Sequence, residues 1–419
     1  MPVHTIITEK MVFGGDCIAK IDGKTVFIPF ALPGETLEIE ITRQNRDYDC
    51  ARIVNIVTPS PHRVTPFCKY YGICGGCSLQ HADSEYQKEL RVQMLKSAFE
   101  REGITVSQIE TVSASPTAYR SRFQFTGGGL KMKMSDKIVS LTECPCATNE
   151  INHYLKEVPI EKRPRGRVHV FGSDAICSIP EGFDRLIIAH EVSKAKPAAP
   201  KKEKRMQNGR PLPKQKQVKK QWTAGSLDPR NACTVMLCGK PVTFDVQGFF
   251  QSNLDVLQKA IPVVCEGLSG KHVLDMYAGC GTFSTFLAER FDMVTLVEHN
   301  RDALIYAEQN LANKMHESYG VSGGVWAENH AQSCIERNGL FDAVVIDPPR
   351  SGMEKEVCDW LCKHCIPKVR SISCDAATHA RDIARLIKAG YRLEKLFLLD
   401  FYPQTAHIES LAYLSKDAE

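Results

Sequence analysis

The sequence lacks a hydrophobic run long enough to span a bilayer, and it begins without the basic, apolar and small-residue order of a signal peptide. It also lacks a strong excess of one charge, since a formal net charge of +4 does not by itself indicate a nucleic-acid or membrane partner. We therefore expect a cytoplasmic protein that binds no membrane. The 17 cysteines are then expected to be thiols, metal ligands or nucleophiles rather than disulfides, because the cytosol keeps thiols reduced.

The chain of 419 residues is too long for one ordinary core, so we expect several domains. Short β-rich runs alternate with the turn signals FGGD, IDGK and LPGE, which predicts a small β-barrel over 1–59. A central domain is expected over 60–240 and an α/β domain over 241–419. Residues at about 193–220 are rich in Lys, Arg and Pro and poor in large apolar side chains, which predicts an exposed insertion, either a linker or an RNA-binding arm.

After residue 240 strand-like runs alternate with helix-like runs, for example HVLDMY, MVTLVEHN, FDAVVIDPPR and VRSISCD among the strands. Repeated strand-helix units predict a Rossmann-like parallel sheet with helices on both faces and ligands at the carboxyl ends of the strands. The last two runs, YRLEKLFLLDFYP and HIESLAYLS, have no helix between them, so this pair is expected to be antiparallel. This is the strand plan of a class I methyltransferase.

The loop after the first of these strands supports a nucleoside-containing cofactor. Asp275 ends the strand, and Gly279 and Gly281 allow the backbone to approach a ligand closely. Glu298, at the end of the next strand, lies where an acid can bind both ribose hydroxyls. The third glycine of the dinucleotide fingerprint is missing, which favours S-adenosylmethionine over a ligand that contains a pyrophosphate.

Asp347 ends the fourth strand in the motif DPPR, where it faces the cleft between cofactor and acceptor. Cys374 ends the next strand, just before a predicted helix whose N-terminal amides would lower the pKa of its thiol. A pyrimidine carbon 5 is a poor nucleophile until a thiolate adds at carbon 6, and Cys374 is placed for that role. The alternative is a small buried apolar residue, as most free cysteines are.

Methylation of carbon 5 also needs a base that removes the carbon-5 proton before the thiol leaves. Glu409 follows in FYPQTAHIES, flanked by Ile408 and Ser410. A carboxylate among apolar strand residues is costly unless it has a function, so Glu409 is the candidate base. His407 is interpreted as a structural or orienting residue.

A second cluster of cysteines lies in CKYYGICGGC, with Cys68, Cys74 and Cys77 spaced C-x5-C-x2-C. The later ECPC offers Cys144 or Cys146 as a fourth ligand. Four thiolates suit either zinc or an iron-sulfur cluster. The long first gap is unusual for zinc, for which a second close CxxC pair is expected.

Aromatic and basic residues alternate in AYRSRFQF, which includes Tyr119, Arg120, Arg122 and Phe123. On a strand such residues can hold phosphates and stack on unpaired bases. The aromatic residues can equally belong to a core, and the pattern leaves both interpretations open.

The motifs FFQSN, LDMYAGCGTFS, DPPRSG, SCDAATHARD and YPQTAHIE, in this order, resemble the RNA uracil-5 methyltransferase family. The N-terminal MVFGGDCIAKIDGK and PFALPGE resemble its TRAM domain, so the similarity covers nearly the whole chain apart from the basic insertion. The resemblance implies that Cys374 is the nucleophile and Glu409 the proton acceptor. It further implies that the cofactor or the reacting base is contacted by Gln251, Tyr277, Glu298 and Asp347.

The motif CGGCSLQH with a later CP resembles the 4Fe-4S site of the ribosomal-RNA branch of this family. That resemblance implies the ligands Cys68, Cys74, Cys77 and Cys144. The family usually has Asn-Pro after the nucleophile, where this chain has Asp375 and Ala376, and it usually has Phe-Pro where this chain has Tyr402-Pro403. Asp375 would place a negative charge beside the thiolate.

The predicted function is S-adenosylmethionine-dependent methylation of carbon 5 of a uridine in RNA, with 23S ribosomal RNA favoured over transfer RNA. The target base must leave its stack to reach Cys374. Two alternatives remain at this point: a cytosine-5 RNA methyltransferase, and a noncatalytic RNA-binding iron-sulfur protein. Nothing in the sequence requires more than a monomer.

Overall fold

The structure is a computed structural model in which residues 2–178, 185–191, 206–207, 210–211 and 228–416 are described. The basic insertion predicted at about 193–220 lies outside the described residues apart from two short pairs, 206–207 and 210–211. In the described part of the chain, no helix is long and apolar enough to cross a membrane.

The N-terminal strands form a small barrel. In chain order they are β1 Val3–Ile7, β2 Lys10–Met11, β3 Cys17–Ile21, β4 Lys24–Ile28, β5 Thr36–Gln44 and β6 Tyr48–Thr58. Their order in the sheet is β1-β5-β6-β4-β3-β2. The first and last strands of this order are consecutive in the chain, separated by two residues, and β1 also contacts β3, so the sheet curves into a barrel. The predicted β-barrel is confirmed.

The middle of the chain contains short strands and two longer helices. Its elements are α1 Ser84–Arg101, β7 Glu110–Val112, β8 Arg122–Thr126, β9 Leu130–Lys131, β10 Ile138–Val139, α2 Asn149–Glu157, β11 Arg167–Gly172, β12 Ile176–Ser178, β13 Leu186–His190, β14 Met206–Gln207, β15 Arg210–Pro211, β16 Ala232–Leu237 and β17 Lys240–Asp245. Two antiparallel three-stranded sheets have the orders β13-β11-β8 and β12-β16-β17.

The C-terminal elements are α3 Leu254–Val264, β18 Gly270–Met276, α4 Ser284–Leu287, β19 Phe291–Val297, α5 Arg301–Asn310, β20 His316–Tyr319, α6 Gly323–Asn329, α7 Ala331–Asn338, β21 Ala343–Ile346, α8 Lys355–Lys363, β22 Lys368–Ser373, α9 Ala376–Lys388, β23 Arg392–Leu399 and β24 Glu409–Ser415. The main sheet has the order β20-β19-β18-β21-β22-β24-β23-β7. Strands β18 to β22 pair in parallel, and β24 is antiparallel to β22 and to β23. The predicted α/β sheet and its antiparallel last pair are confirmed.

Two features of this sheet differ from the simple sequence pattern. The helix expected after β18 spans only Ser284–Leu287, because Gly279 and Gly281, both with positive φ, hold the preceding residues in turns. The eighth strand, β7, comes from the middle of the chain and pairs in parallel with β23. Helix α1 packs on α9. The domain boundaries at about residues 59 and 240 stay a prediction. Both α1 and β7 belong to the predicted central domain.

Candidate active site

A cleft opens at the carboxyl ends of the parallel strands, where α/β folds bind ligands. Four of the predicted site residues line it together: Gln251, Tyr277, Asp347 and Glu409. The same cleft is lined by the glycine loop after β18 and by Asp275. The strand plan therefore gathers residues that lie up to 158 positions apart, such as Gln251 and Glu409, around one space.

Cys374 lies at the turn between β22 and α9, half-buried, next to this cleft. Burial and the charges of Glu409 and Asp347 raise the pKa of its thiol to about 11, while the charge of Arg350 lowers it. Both carboxylates line the neighbouring cleft. A half-buried thiol between two acids and one cation can become a nucleophile once the acids are neutralised or engaged.

Asp375 caps the N-terminus of helix α9. Its carboxylate accepts hydrogen bonds from the backbone N–H groups of Ala377 at 3.1 Å and Thr378 at 2.9 Å. The negative charge is thus held by the N-terminal amides of the helix. An Asn side chain could accept the same bonds, and Ala376 occupies the first helical position, where Pro is also favourable. Both departures from Asn-Pro preserve the local structure.

Glu409 begins β24 and is 5% exposed. Burial first and the charge of Asp347 second raise the pKa of its carboxyl to about 8. The amide Nε2 of Gln251 donates a hydrogen bond to Oε2 of Glu409 at 3.4 Å and lowers that pKa. The hydroxyl of Tyr402 in turn donates to Oε1 of Gln251 at 3.5 Å. Gln251 is therefore held between a phenol and the candidate base.

Two further carboxyls, Asp275 and Asp347, line the same cleft. Burial raises the pKa of Asp347 to about 7. Burial likewise raises the pKa of Asp275 to about 7, although Ser284 donates two hydrogen bonds to it, from its N–H at 3.0 Å and from its hydroxyl at 2.5 Å. Several buried acids around one cleft favour a positively charged ligand.

The glycine loop has left-handed backbone at a tyrosine as well as at its glycines. Tyr277 has a φ of 64° and Gly279 a φ of 57°, both in the left-handed region. This conformation is costly for a tyrosine and is typical of functional sites that the surrounding fold holds in place. The Tyr277 hydroxyl donates to a carboxylate oxygen of Glu354 at 3.2 Å.

Glu298 is not among the residues that line the cleft surface. Its Oε2 accepts a hydrogen bond from the N–H of Gly279 at 3.0 Å, and its Oε1 accepts one from the N–H of Asn300 at 2.6 Å. The carboxylate thus fixes the glycine loop to the end of β19. Gly281 must remain small there, since a Cβ atom would lie 3.0 Å from the Cβ of Ala307.

A buried hydrogen-bond network lies beneath Cys374 and Glu409. His379 of α9 is 1% exposed, with Nδ1 2.7 Å from the hydroxyl of Ser410 and Nε2 3.2 Å from the hydroxyl of Ser371. Burial lowers the pKa of His379 to about 3, so the ring is neutral. One side chain therefore connects α9, β22 and β24, the three elements that carry the two candidate catalytic groups.

The second predicted site is a cavity of about 790 Å³ in the middle part of the chain. All four predicted cluster ligands line it, and so does one further cysteine: Cys68, Cys74, Cys77, Cys144 and Cys146. Within the described residues, no group of three or more Cys, His, Asp or Glu side chains is arranged to hold a single metal ion. A four-iron cluster is larger than one ion, and its thiolate ligands surround it, so this donor set fits a cluster better than zinc.

Cys146 lies between two of the predicted ligands, with its Sγ 3.8 Å from the Sγ of Cys77. Its thiol hydrogen-bonds to the sulfur atoms of Cys77 and Cys144. This contact sets the pKa of Cys144 at about 7 and lowers that of Cys77, while it raises the pKa of Cys146 itself. Burial raises the pKa values of Cys68 and Cys74, so two of the four predicted ligands, Cys77 and Cys144, have lowered pKa values.

The segment AYRSRFQF contributes its aromatic residues to the interior. Tyr119 and Phe123 are each 3% exposed, whereas Arg120 and Arg122 are partly exposed. The Arg122 guanidinium donates to the carbonyl oxygen of Gly248 at 2.6 Å. Of the two interpretations of this pattern, the core one applies to the aromatic rings.

Sequence reasoning gave no role to two residues that the structure places at the cleft. Arg350 is the last residue of the motif DPPR, and its charge lowers the pKa values of both Cys374 and Glu409. Phe249 lines the cleft and is 68% exposed, although large apolar side chains are usually buried. The signals were available, since both residues lie within or beside the motifs DPPRSG and FFQSN.

Three family models match the chain. One described as tRNA (Uracil-5-)-methyltransferase matches residues 330–417, the TRAM domain matches 5–54, and the Methyltransferase small domain matches 249–364. Among solved structures, the Pyrococcus abyssi tRNA (uracil-54, C5)-methyltransferase in complex with S-adenosyl-L-homocysteine aligns with a TM-score of 0.68 and 23% identity, covering 98% of this chain and 100% of that one. This structural similarity confirms the class I methyltransferase fold.

Curated relatives align over the full length. An uncharacterized RNA methyltransferase of Treponema denticola is 36% identical over 456 aligned residues, covering 100% of both chains. An uncharacterized RNA methyltransferase of Aquifex aeolicus is 30% identical, covering 98% of this chain and 97% of the relative. The 23S rRNA (uracil(1939)-C(5))-methyltransferase RlmD of Chromohalobacter salexigens is 29% identical, covering 98% and 88%. The chain therefore belongs to the RNA uracil-5 methyltransferase family.

Proposed function

We propose that this enzyme methylates carbon 5 of a uridine in 23S ribosomal RNA through a covalent adduct with Cys374. The observation that carries the proposal is the placement of Cys374 and Glu409, which each lie one residue beyond Ser373 and Ser410, a directly paired couple on β22 and β24. Full-length similarity to a 23S rRNA uracil-5 methyltransferase supports the choice of ribosomal RNA.

Cys374 begins the reaction. Its thiol releases a proton to solvent, which its half-buried position permits, and the thiolate Sγ bonds to carbon 6 of the extruded uracil. The carbon 5–carbon 6 double bond is lost, and its electron pair makes carbon 5 an enolate-like nucleophile. The charge of Arg350 lowers the pKa of Cys374 and so opposes burial and the charges of Glu409 and Asp347, which together raise it to about 11.

S-adenosylmethionine supplies an electrophilic methyl group on a sulfonium and leaves as S-adenosylhomocysteine. In this chain Gln251, Tyr277, Glu298 and Asp347 would hold it or the reacting base. The buried acids of the cleft suit the positive charge of the donor. Carbon 5 takes the methyl group and then carries both a methyl group and a proton.

Glu409 completes the reaction. Its ionised carboxylate takes the carbon-5 proton, the electron pair restores the carbon 5–carbon 6 double bond, and the bond from carbon 6 to Sγ breaks. Cys374 leaves as a thiolate, and Glu409 later releases its proton to solvent. Because the pKa of Glu409 is raised to about 8, its ionised carboxylate is a stronger base than an ordinary glutamate.

The proposal includes a 4Fe-4S cluster held by Cys68, Cys74, Cys77 and Cys144. Their placement around one cavity supports it. We place the protein in the cytoplasm, where the proposed RNA substrate occurs and thiols stay reduced, and we expect it to act as a monomer.

The test is mass spectrometry of nucleosides from 23S ribosomal RNA of cells with and without this gene, rescued with wild type, Cys374→Ala or Cys177→Ala. Cys177 is exposed on β12 and serves as the matched control. We expect 5-methyluridine to disappear on deletion and to return with wild type and Cys177→Ala only. Unchanged 5-methyluridine in 23S ribosomal RNA would contradict the proposal, and loss of 5-methylcytidine would favour the cytosine enzyme.

A further inference from the structure

Two backbone junctions connect the cysteine cavity to the active-site cleft. At the first, the N–H groups of Ser78 and Leu79 donate to the carbonyl oxygen of Gln404 at 2.9 and 3.0 Å. The N–H of Ala406 donates back to the hydroxyl of Ser78 at 3.1 Å. Ser78 directly follows the candidate ligand Cys77, and Ala406 lies three residues before Glu409. The first junction therefore ties a cluster ligand to the loop that enters β24.

The loop at the first junction has a conformation that its neighbours impose. Gln404 has a φ of 68°, is 1% exposed, and exchanges two 3.0 Å hydrogen bonds with the side chain of Gln87. The carbonyl oxygen of Pro403 accepts a hydrogen bond from the hydroxyl of Tyr119 at 2.8 Å. A left-handed residue other than glycine persists only when surrounding contacts hold it. The loop before Glu409 is thus held by Gln87 and Tyr119 together with Ser78 and Leu79 of the segment that follows Cys77.

The second junction runs through residues 118–121. The N–H of Arg120 donates to the carbonyl oxygen of Cys146 at 2.7 Å. On the other side, both the N–H and the hydroxyl of Ser121 donate to the carbonyl oxygen of Ser252, at 2.8 and 2.9 Å. Ser252 follows Gln251, the residue that hydrogen-bonds to Glu409. The two junctions thus lead from the cysteines to the candidate base and to the residue that holds it.

We propose that the iron-sulfur site is a positioning element for Glu409 and Gln251. When the cluster is bound, it holds the segment of Cys77 and the loop that contains Cys144 and Cys146 in one arrangement. Through the two junctions, this arrangement fixes the loop before Glu409 and the segment that carries Gln251. The inference rests on the proposed function and its proposed cluster, and it makes methyl transfer depend on cluster occupancy without any redox step.

The experiment compares the full-length protein purified anaerobically, the same protein after iron removal with a chelator, and the chemically reconstituted protein. Hydrogen exchange is measured by mass spectrometry in segment 402–409 and, as an internal control, in β19, which pairs with β18 and β20. We expect cluster removal to raise exchange about tenfold in 402–409 and to leave β19 unchanged, because local opening follows lost hydrogen bonds. Reconstitution should restore protection.

A point variant tests the first junction with the cluster in place. Ser78→Ala removes the bond to the Ala406 N–H, and Ser135→Ala, at an exposed turn with a bond of 3.2 Å to Lys137, is the matched control. With normal iron and sulfide content, Ser78→Ala should raise exchange at Ala406 and lower the rate of adduct formation on 5-fluorouridine RNA about fivefold, as expected for one lost hydrogen bond. RNA affinity should stay unchanged, which separates positioning from a general loss of structure.

The outcomes distinguish failure of the proposed cluster from failure of the proposed positioning role. A protein that contains no iron or sulfide after anaerobic purification would overturn the proposed cluster together with this inference. A cluster-containing protein whose 402–409 exchange does not respond to iron removal would overturn the positioning role alone. Equal effects of Ser78→Ala and Ser135→Ala would also overturn it.

Discussion

Cys374 and Glu409 stand at the same end of two neighbouring antiparallel strands, each one residue beyond the pair formed by Ser373 and Ser410. Because β22 and β24 run in opposite directions, the last residue after one strand meets the first residue of the other. This register brings a thiol and a carboxyl that are 35 positions apart in the sequence to one edge of the cleft. This placement suits a nucleophile that adds at carbon 6 of a uracil and a base that acts at the adjacent carbon 5.

The first prediction concerns Glu409→Gln. The variant keeps an acceptor for Gln251 but cannot take the carbon-5 proton, so addition and methylation proceed while release of the thiol stops. We expect a covalent protein–RNA adduct to accumulate and multiple turnover to fall at least about a hundredfold, which is within the usual contribution of a general base. Denaturing gel electrophoresis with labelled RNA and S-adenosylmethionine measures the adduct.

Glu394→Gln is the control, since this glutamate lies exposed on the adjacent strand β23. Adduct should not accumulate with it. Normal turnover by Glu409→Gln would show that another group removes the proton.

The second prediction concerns the pH dependence of stability. The folded-state pKa of Glu409 is raised from 4.5 to about 8, so the folded protein keeps a proton that the unfolded chain has released. The stabilising contribution is therefore complete at low pH and lost as pH rises through about 8. Glu409→Gln should leave the free energy of unfolding nearly unchanged at pH 5 and raise it by more than about 1 kcal/mol at pH 9, since one pKa unit corresponds to about 1.4 kcal/mol. Urea titrations at both pH values measure it, and a gain that is equal at pH 5 and pH 9 would contradict the assignment.

The third prediction concerns Asp375. Asp375→Ala removes both capping bonds and should lower the free energy of unfolding by about 1 kcal/mol. Asp375→Asn keeps the bonds and should leave the free energy of unfolding nearly unchanged. The rate of adduct formation on 5-fluorouridine RNA should change by no more than about threefold, because the helix amides hold the carboxylate of the wild type. A much faster reaction of Asp375→Asn would show that this charge does suppress the thiolate.

The fourth prediction concerns His379→Leu. The substitution keeps an apolar volume but leaves the buried hydroxyl of Ser371 without its partner, which should cost about 2 kcal/mol. Adding Ser371→Ala should restore most of the stability, and chemical denaturation measures both variants. We expect His379→Leu to slow adduct formation. The double variant should be equally slow, because it also lacks the hydrogen bond between His379 of α9 and Ser410 of β24. Recovery of both properties would assign His379 to stability alone.

Much of the site is encoded in short segments. Short residue patterns predict the alternation of strands and helices, the glycine loop and the position of Cys374 at the end of a strand. They do so because hydrophobic periodicity and turn-forming residues act over short segments. Glu409 was recognisable because an acid in an apolar strand is costly. The sequence shows that Asp375 and Ala376 replace the usual Asn-Pro, but it does not show how this replacement affects the thiol.

The tertiary structure decided what depends on contacts between distant segments. β7 joins the main sheet beside β23, although nearly 290 residues separate Glu110 from Phe397. Cys146 lines the cysteine cavity, and the Asp375 carboxylate accepts hydrogen bonds from the helix amides of Ala377 and Thr378. Local propensities fix which residues form a strand or a helix, whereas strand neighbours, cavity walls and the surroundings of a titratable group arise only when the whole chain packs. The sequence by itself determined the kind of chemistry available to this protein, and only the packed fold determined that its thiol, its base and its cysteine cavity are connected.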